Sequence, residues 1–268
     1  MTLPLTCLTG RFIKTSVQTA ARLGFAALCL TSLPAPMASA TTPTITLYSN
    51  SGGSNTLPSS IPFTILDLGT NGTGNKLVQT STVTSSSSPA KLPTASEISS
   101  IAFGPQGGTP SGVFAGGVSG KAATPFGSTD SKRDYLVAGA SGSVTVSYTV
   151  TQDALQILWG SVDGAATNNN NIITFKNGST TIATVNGADI AAAVGAGFVS
   201  GTTNVALRIS GLPGFTSLVL SDPGSAAFEF ALGLPVPEPA AIGLFGVAVA
   251  GLGFFKLRGK ARRARLAG

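Results

Sequence analysis

The residues of the chain's middle with the most chemical potential are five carboxylates: Asp153, Asp163, Asp189, Asp222 and Glu229. A glycoside hydrolase needs only two such groups, held about 5–9 Å apart. None of the five sits in a recognisable catalytic context. Asp153, Asp163, Asp189 and Asp222 fall at turns and strand ends, where Asp hydrogen-bonds its local backbone. The chain has no histidine, which removes a Ser-His-Asp triad, a histidine proton shuttle and a histidine zinc site. Its two cysteines, Cys7 and Cys29, lie in the first 30 residues, so no thiol nucleophile remains further along. "GTNGTGNK" (Gly69 to Lys76) has its lysine one position late for a phosphate loop, with no Ser or Thr after it, and reads as turns.

Two binding chemistries remain open. Asp163 and the run Asn168 to Asn171, Asn169 and Asn171 among them, form an oxygen-rich loop of the kind that holds calcium; a solvated turn cluster is the favoured reading of the same residues. No other metal or cofactor is expected. Trp159, the single tryptophan, could stack on a sugar ring. In alternation it shares a face with Leu155 and Ile157, which points to a core anchor instead.

The elements that must position these residues read as short strands. "TITLYS" (Thr44 to Ser49) alternates, and "GSVTVSYTVT" puts Val144, Val146, Tyr148 and Val150 on one face and Thr145, Ser147, Thr149 and Thr151 on the other. "DALQILWGS", "NIITFKNGSTTIATV", "NVALRISG", "TSLVLSDPG" and "SAAFEFALG" follow with turn residues between them. Asn177-Gly178 suits a type I′ hairpin turn. One short helix is expected at "GADIAAAVGAG" (Gly187 to Gly197). Residues 51–126 are rich in Ser, Gly and Pro, and strand borders there are not fixed by the pattern. The spacing predicts an all-β chain, an antiparallel β-sandwich of jelly-roll-like character.

Charge separates the ends from the middle. Of 16 basic residues, Arg11, Lys14 and Arg22 precede residue 40, and Lys256, Arg258, Lys260, Arg262, Arg263 and Arg265 close the chain. Seven remain against ten acidic residues, so the middle is mildly acidic despite the overall +6. A nucleic-acid partner is not expected, because it would need a basic patch on the folded part. A basic stretch, the apolar "LGFAALCLTSL" and Ala38-Ser39-Ala40 form the pattern of a secretory signal cleaved after Ala40. At the other end, "VPEP" is stiff and extended, Ala240 to Phe255 carry no charge, and six basic residues follow. As a helix that run spans about 24 Å, short of a ~30 Å hydrocarbon core unless Lys256 and Arg258 snorkel. The basic end predicts a single transmembrane helix with its short tail in the cytoplasm.

Pro237-Glu238-Pro239, the apolar run directly after it and the Arg-rich end together resemble the PEP-CTERM sorting signal of Gram-negative bacteria. The resemblance implies an exosortase as partner, a transient inner-membrane anchor, cutting near Pro237-Glu238-Pro239, and delivery to the cell surface or extracellular matrix, often alongside exopolysaccharide. A second pattern covers roughly residues 135–235. Trp159-Gly160-Ser161-x-Asp163, Asn171, Gly187-Ala188-Asp189 and Ala227-Phe228-Glu229-Phe230 resemble one group of exosortase-dependent surface proteins, which implies a β-sandwich and no assigned activity. The expected organisation is a signal peptide (1–40), a Ser/Gly/Pro-rich β region (41–134), a sandwich core (135–235) and a sorting signal (236–268). Within the last, 236–239 is the motif, 240–255 the span and 256–268 the basic tail. The functional expectation is a non-enzymatic surface or matrix protein, structural or polysaccharide-associated. The alternatives are a carbohydrate-binding module using Trp159 and the Asn loop, and a carboxylate-dependent glycoside hydrolase or lyase.

Overall fold

In the computed structural model the described residues are 42–69, 76–94, 96–105, 109–119, 121–127, 132–164, 171–224 and 227–235. The expected signal peptide with Ala38 and Ala40, the loop residue Asn169, and the sorting segment 236–268 with Pro237, Glu238 and Pro239 lie outside them. Among the described residues the strands are β1 (Thr44–Asn50), β2 (Lys76–Gln79), β3 (Ile98–Phe103), β4 (Gly112–Ala115), β5 (Asp134–Ala138) and β6 (Ser143–Gln152). They continue with β7 (Leu155–Gly160), β8 (Ile172–Asn177), β9 (Thr180–Asn186), β10 (Val205–Ser210), β11 (Phe215–Ser221) and β12 (Phe228–Leu232). One helix, α1 (Gly187–Val194), follows β9.

All ladders are antiparallel and form two sheets. Sheet 1 runs β1-β10-β7-β12-β5-β4-β2, and sheet 2 runs β3-β6-β11-β8-β9. Strands from residues 44–115 thus join the same two sheets as strands from 134–232. The chain crosses from sheet 2 to sheet 1 through Asp153-Ala154, between β6 and β7.

The inner faces of both sheets close on one core. Ile157, Trp159, Leu207, Phe228 and Phe230 of sheet 1 share it with Val144, Val146, Ile173, Phe175, Leu218 and Leu220 of sheet 2. This is the alternation legible in β6, where Val144 and Val146 are buried. The β6–β11 register shifts between Ser217 and Phe215, so β6 is irregular after Ser147; Val150 lies in that stretch and is 49% exposed, while Gln152 opposite Phe215 is buried.

A second core lies on the opposite face of sheet 1. Phe114, Tyr135, Val137, Leu158, Ala206 and Ala231 face outward there. Ile61, Phe63, Ile65, Val118, Ala122 and Phe126, from the connecting segments, cover them. β4, β5 and β12 are consequently buried at every position. Among the described residues sheet 2 has no such cover: Thr145, Ser147, Thr174, Ser217 and Val219 stay part-exposed on its outer face.

The helix begins as its sequence requires. Asn186 Oδ1 accepts the Ala188 and Asp189 amides, and the Asp189 carboxylate accepts the Asn186 amide, which completes a capping box. The β8–β9 hairpin turns one residue later than Asn177-Gly178 predicts. Asn177 still pairs with Thr180, leaving Gly178-Ser179 as the loop. Gly178 takes the positive φ of 57° that only glycine adopts freely, while Asn177 does not. The Gly178 amide is held by the Thr216 hydroxyl at 3.1 Å.

Candidate functional site

The residues of the Trp159-Gly160-Ser161-x-Asp163 pattern gather at one end of the sandwich, and each does a distinct local job. Trp159 is fully buried on the inner face of sheet 1, with its ring stacked 4.5 Å from Phe228. It offers no face to a sugar, so a stacking site there is ruled out by burial. Gly160 lies beneath Pro125. A Cβ at this position would sit 3.0 Å from the Pro125 ring and 3.4 Å from the Glu229 side chain. Ser161 turns the chain with a φ of 47°, and its amide donates to Asn204 Oδ1 at 2.8 Å.

Asn204 ties the end together, a role its sequence context does not announce. It is fully buried, and its side-chain nitrogen donates to the Thr56 carbonyl at 3.0 Å and the Pro125 carbonyl at 3.4 Å. Its amide donates to the Ser51 hydroxyl at 2.9 Å. One side chain therefore fixes the end of β7, the start of β10 and both segments that cover sheet 1. The one available sequence signal is an Asn directly before a strand of apolar residues.

Asp163 and Asn171 are brought together, as the calcium reading requires. The Asp163 amide donates to Asn171 Oδ1 at 3.3 Å, and the Asn171 carbonyl accepts the Gly187 amide at 3.0 Å. Gly187 is needed for this approach, because a Cβ there would come within 1.9 Å of the Asp163 carbonyl oxygen. Asp222 joins the pair. Ser221 pairs with Ile172, which sets Asp222 of one strand end beside Asn171 of the next. Asp222 is buried; one oxygen accepts the Gly224 amide at 2.6 Å, and neither its Oδ2 nor Asn171 Nδ2 has a partner among the described residues. Burial, then repulsion from Asp222, pushes the Asp163 carboxyl up to about 6. Burial also raises Asp222, against the pull of the Gly224 amide. Asn171 already spends its oxygen on the Asp163 backbone. No group of three or more Asp or Glu side chains among the described residues is close enough to hold a metal.

Glu229 is the most unusual carboxyl of the molecule. It sits in mid-strand on the outer face of sheet 1, between Gly160 of β7 and Val137 of β5, and is 4% exposed. Oε1 accepts the Ala123 amide at 2.9 Å, and Oε2 has no partner among the described residues. Burial drives its pKa well above the usual carboxylate range; the Ala123 amide offsets this in part, and Asp163 and Asp222 add to it. Above it opens a cleft of about 420 Å³, walled by Gly117, Val118, Ser119, Lys121, Ala122 and Ala123. A narrow hairpin shapes that wall: the Val118 amide donates to the Ala122 carbonyl at 2.8 Å and the Ala122 amide returns to Val118 at 2.9 Å.

After β12 the backbone keeps one last anchor, the Leu234 amide on the Thr64 carbonyl at 2.8 Å. The sandwich ends there, and residues 235–263 match the family model described as the PEP-CTERM protein-sorting motif. The chain carries a PEP-CTERM protein-sorting motif. The matched residues contain Pro237, Glu238 and Pro239, the apolar run and most of the basic tail. No curated protein and no solved structure matches the chain. The motif implies an exported protein targeted to an exosortase. No helix among the described residues is long and apolar enough to cross a membrane, and the apolar run 240–255 lies outside them.

Proposed function

We propose that this is a non-catalytic cell-surface or extracellular-matrix protein whose β-sandwich works outside the cell after exosortase processing. The observation that carries the reading is the sorting motif at residues 235–263, directly after the last strand. In this reading the signal peptide is removed after Ala40, and residues 240–255 hold the chain in the inner membrane until an exosortase cuts near Pro237-Glu238-Pro239. The Arg-rich tail is the topological stop. A structural or polysaccharide-associated role accords with a chain that has no histidine anywhere and no cysteine after Cys29. It also accords with the local work of Asp189 and Asp222, whose carboxylates serve a helix cap and a turn.

Replacing Pro237, Glu238 and Pro239 with alanine and fractionating the cells tests the reading. The expected result is an unprocessed, larger chain retained in the membrane fraction. Unchanged size and location would contradict it. Carbohydrate binding is the second reading, and the cleft over Glu229, with Ser119 and Lys121 in its wall, favours it by offering a recess where the buried Trp159 offers none.

A further inference from the structure

The matched sorting motif begins at the residue directly after the fold's last anchor. Leu232 is buried in the core, the Gly233 amide donates to the Gln156 carbonyl at 2.7 Å, and the Leu234 amide donates to the Thr64 carbonyl at 2.8 Å. A Cβ on Gly233 would come within 2.6 Å of the Gln156 Cβ and 2.9 Å of the Phe63 ring, so the chain leaves through a tight slot. Pro237 follows Leu234 by three residues, which reach at most about 11 Å when fully extended. Fraying back to Leu232 lengthens this to about 18 Å. Anything longer draws Leu232 and then Phe230 out of the core. The same end of sheet 1 holds the start of β1. Thr44 pairs with Ser210, Ile209 with Leu155 and Ile157 with Leu232, so β1 enters where β12 leaves, about 14 Å away across three strand spacings. The Asp153-Ala154 crossing and the connection 211–214 lie there too. The expected signal-peptide cut after Ala40 stands four residues before Thr44. Both expected processing points therefore leave from one end of the sandwich, and the Ser161–Asn204 junction occupies the other.

We propose that this end of the sandwich, presenting Thr44, Thr64, Asp153 and Leu234, is the face that packs against the exosortase while the sorting motif sits in its active site. The inference rests on the exosortase processing proposed above and adds the surface which that processing uses. Reach alone selects the face. An enzyme that closes on Pro237-Glu238-Pro239 brings its own wall within about 11–18 Å of the last anchored residues. The end is itself about 14 Å wide from β1 to β12, and about 10 Å separate one sheet from the other. The tether is thus no longer than the end is wide and cannot swing the sandwich aside. The side chains suit a close contact. Thr44 and Thr64 are exposed, Leu234 is 37% exposed, and Asp153 is part-exposed. None of the four is a long Lys or Arg chain whose ordering would cost rotamer entropy. The Ser161–Asn204 junction, at the other end, stays clear of the enzyme.

The photo-crosslinking residue p-benzoylphenylalanine, placed at Thr64, at Asp153 or at Asn55 of the full chain in cells that make the exosortase, tests the face. Asn55 is exposed at the opposite end, where its side-chain oxygen accepts the Ser161 hydroxyl at 3.4 Å. Light should join the Thr64 and Asp153 chains to the exosortase, identified by mass spectrometry, and leave the Asn55 chain unjoined. Replacing Pro237, Glu238 and Pro239 with alanine should remove the crosslink. About twelve Gly/Ser residues inserted between Leu234 and Pro235 lengthen the tether by about 20 Å on average. They should weaken the crosslink roughly tenfold, as the effective concentration of the face falls, while the motif is still cut. Crosslinks as strong from Asn55, crosslinks from Thr64 and Asp153 to lipid alone, no crosslink from either while the chain is being cut, or a linker without effect would each overturn the face. A chain still cut after alanine replacement of the motif contradicts exosortase processing itself. Loss of cutting in that variant, with no exosortase crosslink from Thr64 or Asp153 in the parent, sinks the face alone.

Discussion

Sheet 1 and sheet 2 are both antiparallel and share one core, but water reaches them differently. In sheet 1, Trp159 and Phe230 point into the sandwich while Leu158 and Ala231 point into a second core built from connecting segments. In sheet 2, Val146 and Leu218 point inward while Thr145, Ser147 and Ser217 meet solvent. Only the first arrangement can bury a carboxyl in mid-strand and roof it with a hairpin. The cleft, Glu229 and the Asn204 junction therefore all belong to sheet 1, and the hydroxyl-lined face of sheet 2 is a plain outer wall.

The contrast breaks most readily in the core. Trp159→Ala removes the largest buried side chain and its stacking on Phe228, and should cost about 3–5 kcal/mol in denaturant unfolding. A loss below about 1 kcal/mol would mean that sheet 1 is not packed as described. Asn204→Ala strands the Ser161 amide and the Pro125 carbonyl away from water. It should cost about 2–3 kcal/mol, and hydrogen exchange should quicken in the covering segments 51–66 and 121–127 before it does in sheet 2. Gly160→Val presses on Pro125 and should cost about 1–3 kcal/mol by overpacking, whereas the same substitution at Gly52, which has open space around it, should act only through its positive φ.

Acidity sharpens the comparison further. Asp163, Asp222 and Glu229 all have folded pKa values above their unfolded ones, so the native state holds more protons. Stability is then greatest in acid and declines as pH rises from the ordinary carboxyl range through about 6, where Asp163 ionises, and beyond as Glu229 follows. Asp163→Asn should flatten the part of a melting-temperature profile nearest pH 6; an unchanged slope would remove Asp163 from the account. The smallest effect is expected on the open wall. Thr145→Ala and Ser147→Ala should each shift stability by no more than about 0.5 kcal/mol.

What was legible in the sequence follows the same division. β8 and the first half of β6 alternate cleanly because one face is wet, and the α1 cap is written in Asn186 and Asp189. Sheet 1 is harder to read. Its covering residues Ile61, Phe63, Val118 and Phe126 sit singly among Ser, Gly and Pro, with no period to reveal that they meet a sheet. Asn204 looks like a turn residue, and its four-way bonding depends on segments about 80 and 150 positions away. Glu229 looks like the solvent-side residue of an edge strand, because the alternation of "AFEF" cannot say that the outer face is roofed. The placement of Trp159 with Leu155 and Ile157 did identify its core face. The address was the clearest feature of all, since Pro237-Glu238-Pro239, an apolar run and a basic end are consecutive in the chain and need no fold to bring them together.

The export account has a direct test in the intact mass of the protein recovered from outside the cells. The account predicts a chain that begins at Thr41 and lacks Lys256 to Gly268, its C-terminus lying near Pro237-Glu238-Pro239. A recovered chain that still carries the Arg-rich tail would contradict it.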